Sequence, residues 1–271
     1  MVGGLACIAA GSIAGLFWPN PTRLTFLNVG QGDCAVFQTH GSTIIIDTGP
    51  ADARSDAGSK IVVPKLREMG ISGIDLILLS HPDMDHIGGT GAILHEYPSA
   101  TLAVSSFFRH NHQLLEQLAK WGRRAEDVKW LGSELRGKIG EFNIRVECPP
   151  ITENEETNDG SMIVRIADGE GSAVFTGDAP TKVEEEVEPL GDWHAEIMKA
   201  GHHGSHTATS QSWIESVRPE FAVISCGRNN RYGHPHKEVI DRLMEDKVQI
   251  CRTDREGDIV FTFKNGRFVR D

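Results

Sequence analysis

The chain has 271 residues, 39% of them hydrophobic and 24% charged, enough for one large domain or two small ones around a substantial core. Asp and Glu number 38 against 27 Lys and Arg, giving a formal net charge of −11. That balance excludes a protein that grips nucleic acid through a broad basic surface, so a phosphate-bearing substrate would need a few local cations or bound metal ions.

Residues 2–18, VGGLACIAAGSIAGLFW, carry no charge. They lack the basic start of a signal peptide and fall slightly short of the about 20 residues that span a bilayer. Their small residues and closing Trp18 suit the end of a membrane helix packed on others. Residues 1–21 are therefore read as an apolar N-terminal segment, and 22–271 as the folded domain. Stretches 24–29, 34–38 and 43–46 read as a β-meander whose first two strands are joined by the turn Gly30-Gln31-Gly32-Asp33. A helix is expected over 60–69, ending at Gly70, then a buried strand over 74–79 and a helix over 87–95. Nothing regular is assigned from 96 to 141, where Phe107, Phe108, Trp121 and Trp130 are read as packing residues. The second half begins with strands 142–146, 162–167 and 173–176. The stretch 153–157 reads as an acidic surface loop. A helix over 181–188 is expected to turn Glu184 to Glu188 to solvent, and Trp193 and Trp213 are further core anchors. Strands over 195–199, 221–225, 248–251 and 258–263 alternate with helices over 210–217 and 236–245. Each half thus passes from meander to alternating strands and helices, which predicts two sheets packed face to face with helices outside. The five cysteines are widely spaced and form no Cys-x-x-Cys, so they read as small buried hydrophobes.

The strongest chemical signal is Ser80-His81-Pro82-Asp83-Met84-Asp85-His86, followed by Gly88-Gly89. It begins where a buried strand ends and offers two imidazoles and two carboxylates to one point, a donor set for metal ions. Phe175-Thr176-Gly177-Asp178 delivers one more carboxylate from a strand end. Gly201-His202-His203-Gly204-Ser205-His206 follows another strand, and Tyr232-Gly233-His234-Pro235-His236 follows a third beyond Gly227. Together these loops hold enough ligands for two ions. Such a pair polarises a phosphoryl or carbonyl group and generates hydroxide at neutral pH.

The combination of HxDxDH, TGD and GHHGS resembles the metallo-β-lactamase superfamily. With Asn28-Val29-Gly30-Gln31-Gly32-Asp33 and YGHPH, it looks like the C-terminal hydrolase domain of ComEC-type competence proteins, from about residue 22 to the end. The resemblance implies an α/β fold, the αββα sandwich of two mixed sheets with outer helices. It implies two divalent metal ions, Mn²⁺ or Zn²⁺. His81 and Asp83 would face one ion, Asp85, His86 and His202 the other, and Asp178 would bridge both. Asp47, in Ile46-Asp47-Thr48-Gly49, would support the HxDxDH loop from behind. The superfamily's third-motif histidine has no clear counterpart, and Asp159 or Asn158 is the candidate in its place.

His203 reads as a substrate ligand, a general acid or a supporting residue. His234 and His236 are candidates to contact the scissile phosphate or protonate the leaving oxygen, with His234 also a helix cap ahead of Pro235. Ser205, Arg228, Asn230, Arg231 and Tyr232 are candidates to hold substrate, with Arg228, Asn229, Asn230 and Arg231 forming a local cationic, hydrogen-bonding edge. The resemblance implies degradation of one DNA strand during uptake, at the extracytoplasmic face of a membrane beside a channel portion, with no nucleotide cofactor. Two other readings stand beside it. One is a hydrolase of small phosphodiesters, a lactam or a thioester, and the other is a non-catalytic DNA-binding module of a transport channel.

Overall fold

Short apolar runs with period two set out the strands of the computed structural model, which describes residues 21–151, 156–168 and 171–271. The apolar N-terminal run and most of the acidic stretch 153–157 lie outside the described residues. In chain order come β1 (Arg23–Phe26), β2 (Ala35–Gln38), β3 (Thr43–Ile46), β4 (Leu76–Leu79), β5 (Thr101–Ser105) and β6 (Val128–Leu131). They are followed by β7 (Glu134–Ile139), β8 (Phe142–Glu147), β9 (Ile163–Asp168), β10 (Gly171–Phe175), β11 (Ile197–Lys199), β12 (Phe221–Ile224) and β13 (Gln249–Arg252), and last by β14 (Ile259–Lys264) and β15 (Arg267–Arg270). The helices are α1 (Val63–Glu68), α2 (Met84–Ile87), α3 (Thr90–Glu96), α4 (His112–Lys120), α5 (Thr181–Val187), α6 (Gln211–Val217), α7 (Lys237–Glu245) and α8 (Thr253–Glu256).

One sheet has the order β15-β14-β1-β2-β3-β4-β5-β6 and the other β13-β12-β11-β10-β9-β8-β7. Both are mixed. Antiparallel pairing joins β1 to β2 and β2 to β3, and β3 to β6 run parallel. Likewise β7 to β10 are antiparallel and β10 to β13 parallel. The expected sandwich of two mixed sheets with helices outside is therefore the observed architecture. Strand alternation explains its layers: Ile44, Ile46 and Leu78 point between the sheets with Phe26, Phe37, Phe142 and Phe261. Ile45, Ile77 and Leu79 point the other way, onto Ile93, Leu94, Leu114 and Leu118 of the outer helices. On the far side Met198, Ala222 and Ile224 pack with Trp213, Ile214, Val239 and Leu243.

Four local expectations change. The helix expected over 87–95 begins earlier, at Met84, and is split at Gly88-Gly89. A Cβ on Gly89 would lie 2.2 Å from the Thr48 carbonyl oxygen, so only glycine lets this corner close onto the end of β3. The Glu184 side chain, expected in solvent, is fully buried and accepts the backbone N–H of Thr209 at 2.7 Å and of Ser210 at 2.8 Å. Phe108 is buried but Phe107 is 39% exposed, so only one of the pair packs. The cap of α7 is His236 rather than His234, its backbone N–H donating to the Gly204 carbonyl at 2.9 Å. Trp193 and Trp213 are buried against each other, and the four described cysteines are buried and free.

Candidate metal centre

The carboxyl ends of β3, β4, β10, β11 and β12 meet at one edge of the sandwich, where parallel strands leave a crevice for ligands. Each motif of the sequence sits on one of these ends. Asp47 follows β3, His81 follows β4, and Asp85 and His86 lie on α2. Asp178 follows β10, His202 and His203 follow β11, and the loop from Gly227 to His236 follows β12. Asp47, His202 and His203 all adopt left-handed backbone angles, with φ of 56°, 48° and 55°. Such strain in three non-glycine residues at one edge is characteristic of sites where side-chain direction matters more than local stability.

Asp47 organises the centre from behind. Its Oδ1 accepts the Ser80 backbone N–H at 2.8 Å, and its Oδ2 accepts the Ser80 hydroxyl at 2.7 Å and His86 Nδ1–H at 2.8 Å. Because the Ser80 proton goes to Asp47, its oxygen receives His81 Nδ1–H at 3.0 Å. Both imidazoles are thereby held with Nε2 facing inward. His86 Nε2 lies 3.1 Å from Asp178 Oδ1, and the rings of His81 and His86 are 4.2 Å apart. His203 donates through Nδ1 to the Ser225 carbonyl at 3.0 Å and points Nε2 at Asp85 Oδ2, 3.3 Å away, and at Asp178 Oδ2, 3.5 Å away.

Two residues to which the sequence assigned no role complete the centre. The Lys199 ammonium is buried in contact with Asp33 Oδ2, and Asp33 Oδ1 lies 3.3 Å from His203 Nδ1. Asp33 also ties the turn after β1 to the metal loop, its N–H donating to the Asp85 carbonyl at 3.2 Å. A lysine ending the otherwise apolar strand Ile197-Met198-Lys199 was the available signal, since a buried ammonium requires a partner.

The charges follow from these contacts. Burial alone would push the His86 and His203 imidazoles down. Asp178 and Asp47 instead hold His86 well above the usual histidine range, and Asp178 and Asp33 raise His203 to about 9. Burial likewise opposes ionisation of Asp33, but Lys199 and His203 bring it down to about 2. Asp178 is held well below the usual carboxylate range by His203 and His86 against the same opposition. Burial, then the neighbouring His203 and His202, push His234 down to about 4.

The donor set fits divalent ions. His81 Nε2 is buried without a hydrogen-bond partner, a cost of about 1–3 kcal/mol if nothing else engages it, and His86 Nε2 and Asp178 Oδ1 face each other across 3.1 Å beside it. Ligand atoms of Asp33, His86, Asp178 and His203 all lie within 4.8 Å of one another. Imidazole nitrogen with carboxylate oxygen is a ligand set suited to divalent metal ions.

The remaining expected site residues are distributed as follows. Asp83 Oδ2 lies 3.7 Å from His81 Nε2, and its Oδ1 accepts the Thr157 hydroxyl at 2.7 Å. His202, expected to complete the second ion, stands at the rim with Nε2 3.6 Å from Asp178 Oδ2, and His203 occupies the inner position. Asp159, expected among the ligands, is instead held by Lys182 at 2.7 Å. His236, expected at the phosphate, turns Nδ1 to the His206 backbone N–H at 3.0 Å. Ser205 is buried, with its hydroxyl 3.0 Å from that of Thr207. Asn230 spends its amide on the loop, donating to the carbonyls of Gly227 and His234 and accepting the N–H groups of Tyr232 and His234. Arg228 donates to the Asp254 carbonyl at 3.3 Å. His234, Arg231 and Tyr232 stay at the opening, with the His234 ring 5.6 Å from that of His202.

The family model described as the metallo-beta-lactamase superfamily matches residues 27–228. ComE operon protein 3 of Bacillus subtilis is 30% identical over 260 residues, 90% of this chain and 33% of that protein. Competence protein ComA of Neisseria gonorrhoeae is 28% identical over 251 residues, 91% of this chain and 33% of that protein. The chain spans about a third of the length of these curated relatives. Among solved structures, the metallo-beta-lactamase fold protein YhfI from Bacillus subtilis superposes with a TM-score of 0.55 at 16% identity, covering 88% of this chain and 98% of that one. That likeness shows the fold.

Proposed function

Given that the chain belongs to the metallo-beta-lactamase superfamily, generally metal-dependent hydrolases, we propose that it is a phosphodiesterase that degrades one strand of DNA during competence DNA uptake. The observation that carries the hydrolytic part is the buried cluster of imidazole and carboxylate ligand atoms from Asp33, His86, Asp178 and His203, all within 4.8 Å of one another. The names of the relatives, a com-operon protein and a competence protein, support DNA as the substrate. On the same reading the domain works at the extracytoplasmic face of a membrane, beside a channel portion of the same protein or its complex. No helix among the described residues is long and apolar enough to cross a membrane itself.

His81 and Asp83 would hold one ion, Asp85, His86 and His203 the other, with Asp178 between them. Bound divalent ions supply Lewis-acid polarisation of a phosphoryl oxygen and a nucleophile from water at neutral pH. The chain's own residues do the rest. Asp47 and Ser80 fix the tautomers of His86 and His81, so that each presents a lone pair. Asp33, paired to Lys199, stands beside His203 and biases its Nδ1 to remain the protonated nitrogen. His234, neutral at pH 7, has Nδ1 3.5 Å from the Gln31 amide, which leaves Nε2–H to donate to a phosphate oxygen. The clustered carboxylates, once holding such ions, would repel a polyanion less, which would let an acidic chain accept it.

The test is hydrolysis by chelator-treated protein resupplied with Mn²⁺, Zn²⁺ or Mg²⁺, on single-stranded DNA, on a simple aryl phosphodiester and on a β-lactam. The proposal expects metal-restored cleavage of DNA. Turnover of the small diester or the lactam with DNA untouched would replace it with a small-molecule hydrolase.

A further inference from the structure

A cleft of about 600 Å³ opens directly beside the metal centre, with Asp85 in its lining. That volume falls within the range of about 300–1,000 Å³ typical of small-ligand sites. Its walls are largely apolar, formed by Val29, Pro50, Ala57, Ile61 and Met84. Several polar groups on those walls are engaged within the protein. The Asn230 amide is spent on its own loop, Gln31 Oε1 accepts the Gly227 N–H at 3.0 Å, and Asp52 accepts the N–H groups of Arg54 and Ser55.

At the mouth stands Tyr232, 48% exposed. The Arg231 guanidinium lies 4.8 Å from its ring centroid and donates to its hydroxyl at 2.6 Å. Behind it the His234 ring stacks at 5.5 Å and 22°, and His203 continues the column at 6.3 Å and 30°. A column of rings with the Arg231 guanidinium at its outer end thus runs from the mouth of the cleft to the metal centre.

We propose that this cleft is a subsite for one unpaired nucleobase, which packs against the Arg231–Tyr232 pair while the adjoining phosphodiester lies at the metal centre. The inference rests on the DNA-hydrolase reading above and refines its substrate. Stacking recognises the face that every base shares, so the subsite is tolerant of sequence. A paired base keeps its faces within the duplex stack and cannot enter, so the cleft selects single strands.

The experiment compares kcat/KM with Mn²⁺ on a single-stranded oligonucleotide, the same strand carrying one abasic position, and the duplex. It uses wild-type protein, Tyr232→Ala and Tyr232→Phe. Removing the base should slow wild-type cleavage at the neighbouring diester by about ten- to a hundredfold, and Tyr232→Ala should slow cleavage of the intact strand by a similar factor. In Tyr232→Ala the abasic position should then make little further difference, whereas Tyr232→Phe, which keeps the ring, should retain most of the sensitivity to base loss. Cleavage of intact and abasic strands at equal rates by wild-type protein, or undiminished sensitivity to base loss in Tyr232→Ala, would overturn the subsite and leave the nuclease reading standing. A wild-type protein inert on DNA with every metal would overturn both.

Discussion

His86 donates its Nδ1 proton to Asp47 across 2.8 Å, and this one contact decides which nitrogen of His86 faces the centre. Asp47→Asn keeps the shape but replaces a strong acceptor with a group that can also donate. It should weaken Mn²⁺ or Zn²⁺ binding by about 10- to 100-fold while the fold persists. Competition titration against a chromophoric chelator measures this, and unchanged affinity would remove Asp47 from the supporting role.

The metal-free protein should have a characteristic pH profile. His203 is raised from 6.5 to about 9, so its contribution to stability is complete below about pH 6.5 and lost as pH rises through about 9. Asp33 is lowered from 3.8 to about 2, so its contribution is complete above about pH 4 and lost as pH falls through about 2. These two groups therefore favour the fold most between about pH 4 and 6.5. Metal must displace protons from His86 and His203, so the rise in Tm on adding Mn²⁺ should grow from about pH 6 to about pH 9. Thermal melts with and without metal check it, and a shift that shrinks with pH would contradict the assignment of His203 as a ligand.

Gly177 precedes Asp178 with φ of +51°, and a Cβ there would meet Ser80 Cβ at 2.8 Å. Gly177→Ala should cost about 1–3 kcal/mol of stability from backbone strain and crowding. It should also weaken metal binding, because it displaces the serine that links Asp47 to His81. Denaturant titration and metal affinity on one preparation test both effects.

Glu184 acts at a distance from the metals. Its two oxygens hold the N–H groups of Thr209 and Ser210, and the Thr209 hydroxyl receives the Gly201 N–H at 2.9 Å, which pins the start of the GHHGS turn. Glu184→Ala leaves two buried donors unmatched and should cost about 2–4 kcal/mol, with Glu184→Gln retaining part of the loss. Urea unfolding reads the difference, and an effect below about 0.5 kcal/mol would show the contact to be incidental.

Most of the interior of the fold was legible because its strands are apolar runs with turn residues between them, and motif spacing located the strand-end loops. The buried strand β5, with only Leu102-Ala103-Val104 as its apolar run, went unassigned. What escaped the sequence has physical reasons. β6, β7 and β15 are edge strands, and Glu134–Ile139 and Arg267–Arg270 expose most of their length, so no apolar pattern marks them. Within the centre, sequence could name the histidine pair but not divide it. The left-handed backbone at His202 and His203 turns the second ring inward and leaves the first at the rim. Glu184 looked solvated within an acidic helix, because the backbone groups that recruit it lie 25 residues away or more. Asp159 and His236 found partners in Lys182 and His206, which no short-range spacing could announce.

The most direct test of the metal-centre account is hydrolysis of an end-labelled single-stranded oligonucleotide by chelator-treated protein resupplied with Mn²⁺, run beside Asp178→Asn and His86→Ala. The account predicts no cleavage without metal, cleavage restored by Mn²⁺ in the wild type, and a loss of at least about a hundredfold in each variant. Metal-independent cleavage, or variants that cut as fast as the wild type, would contradict it.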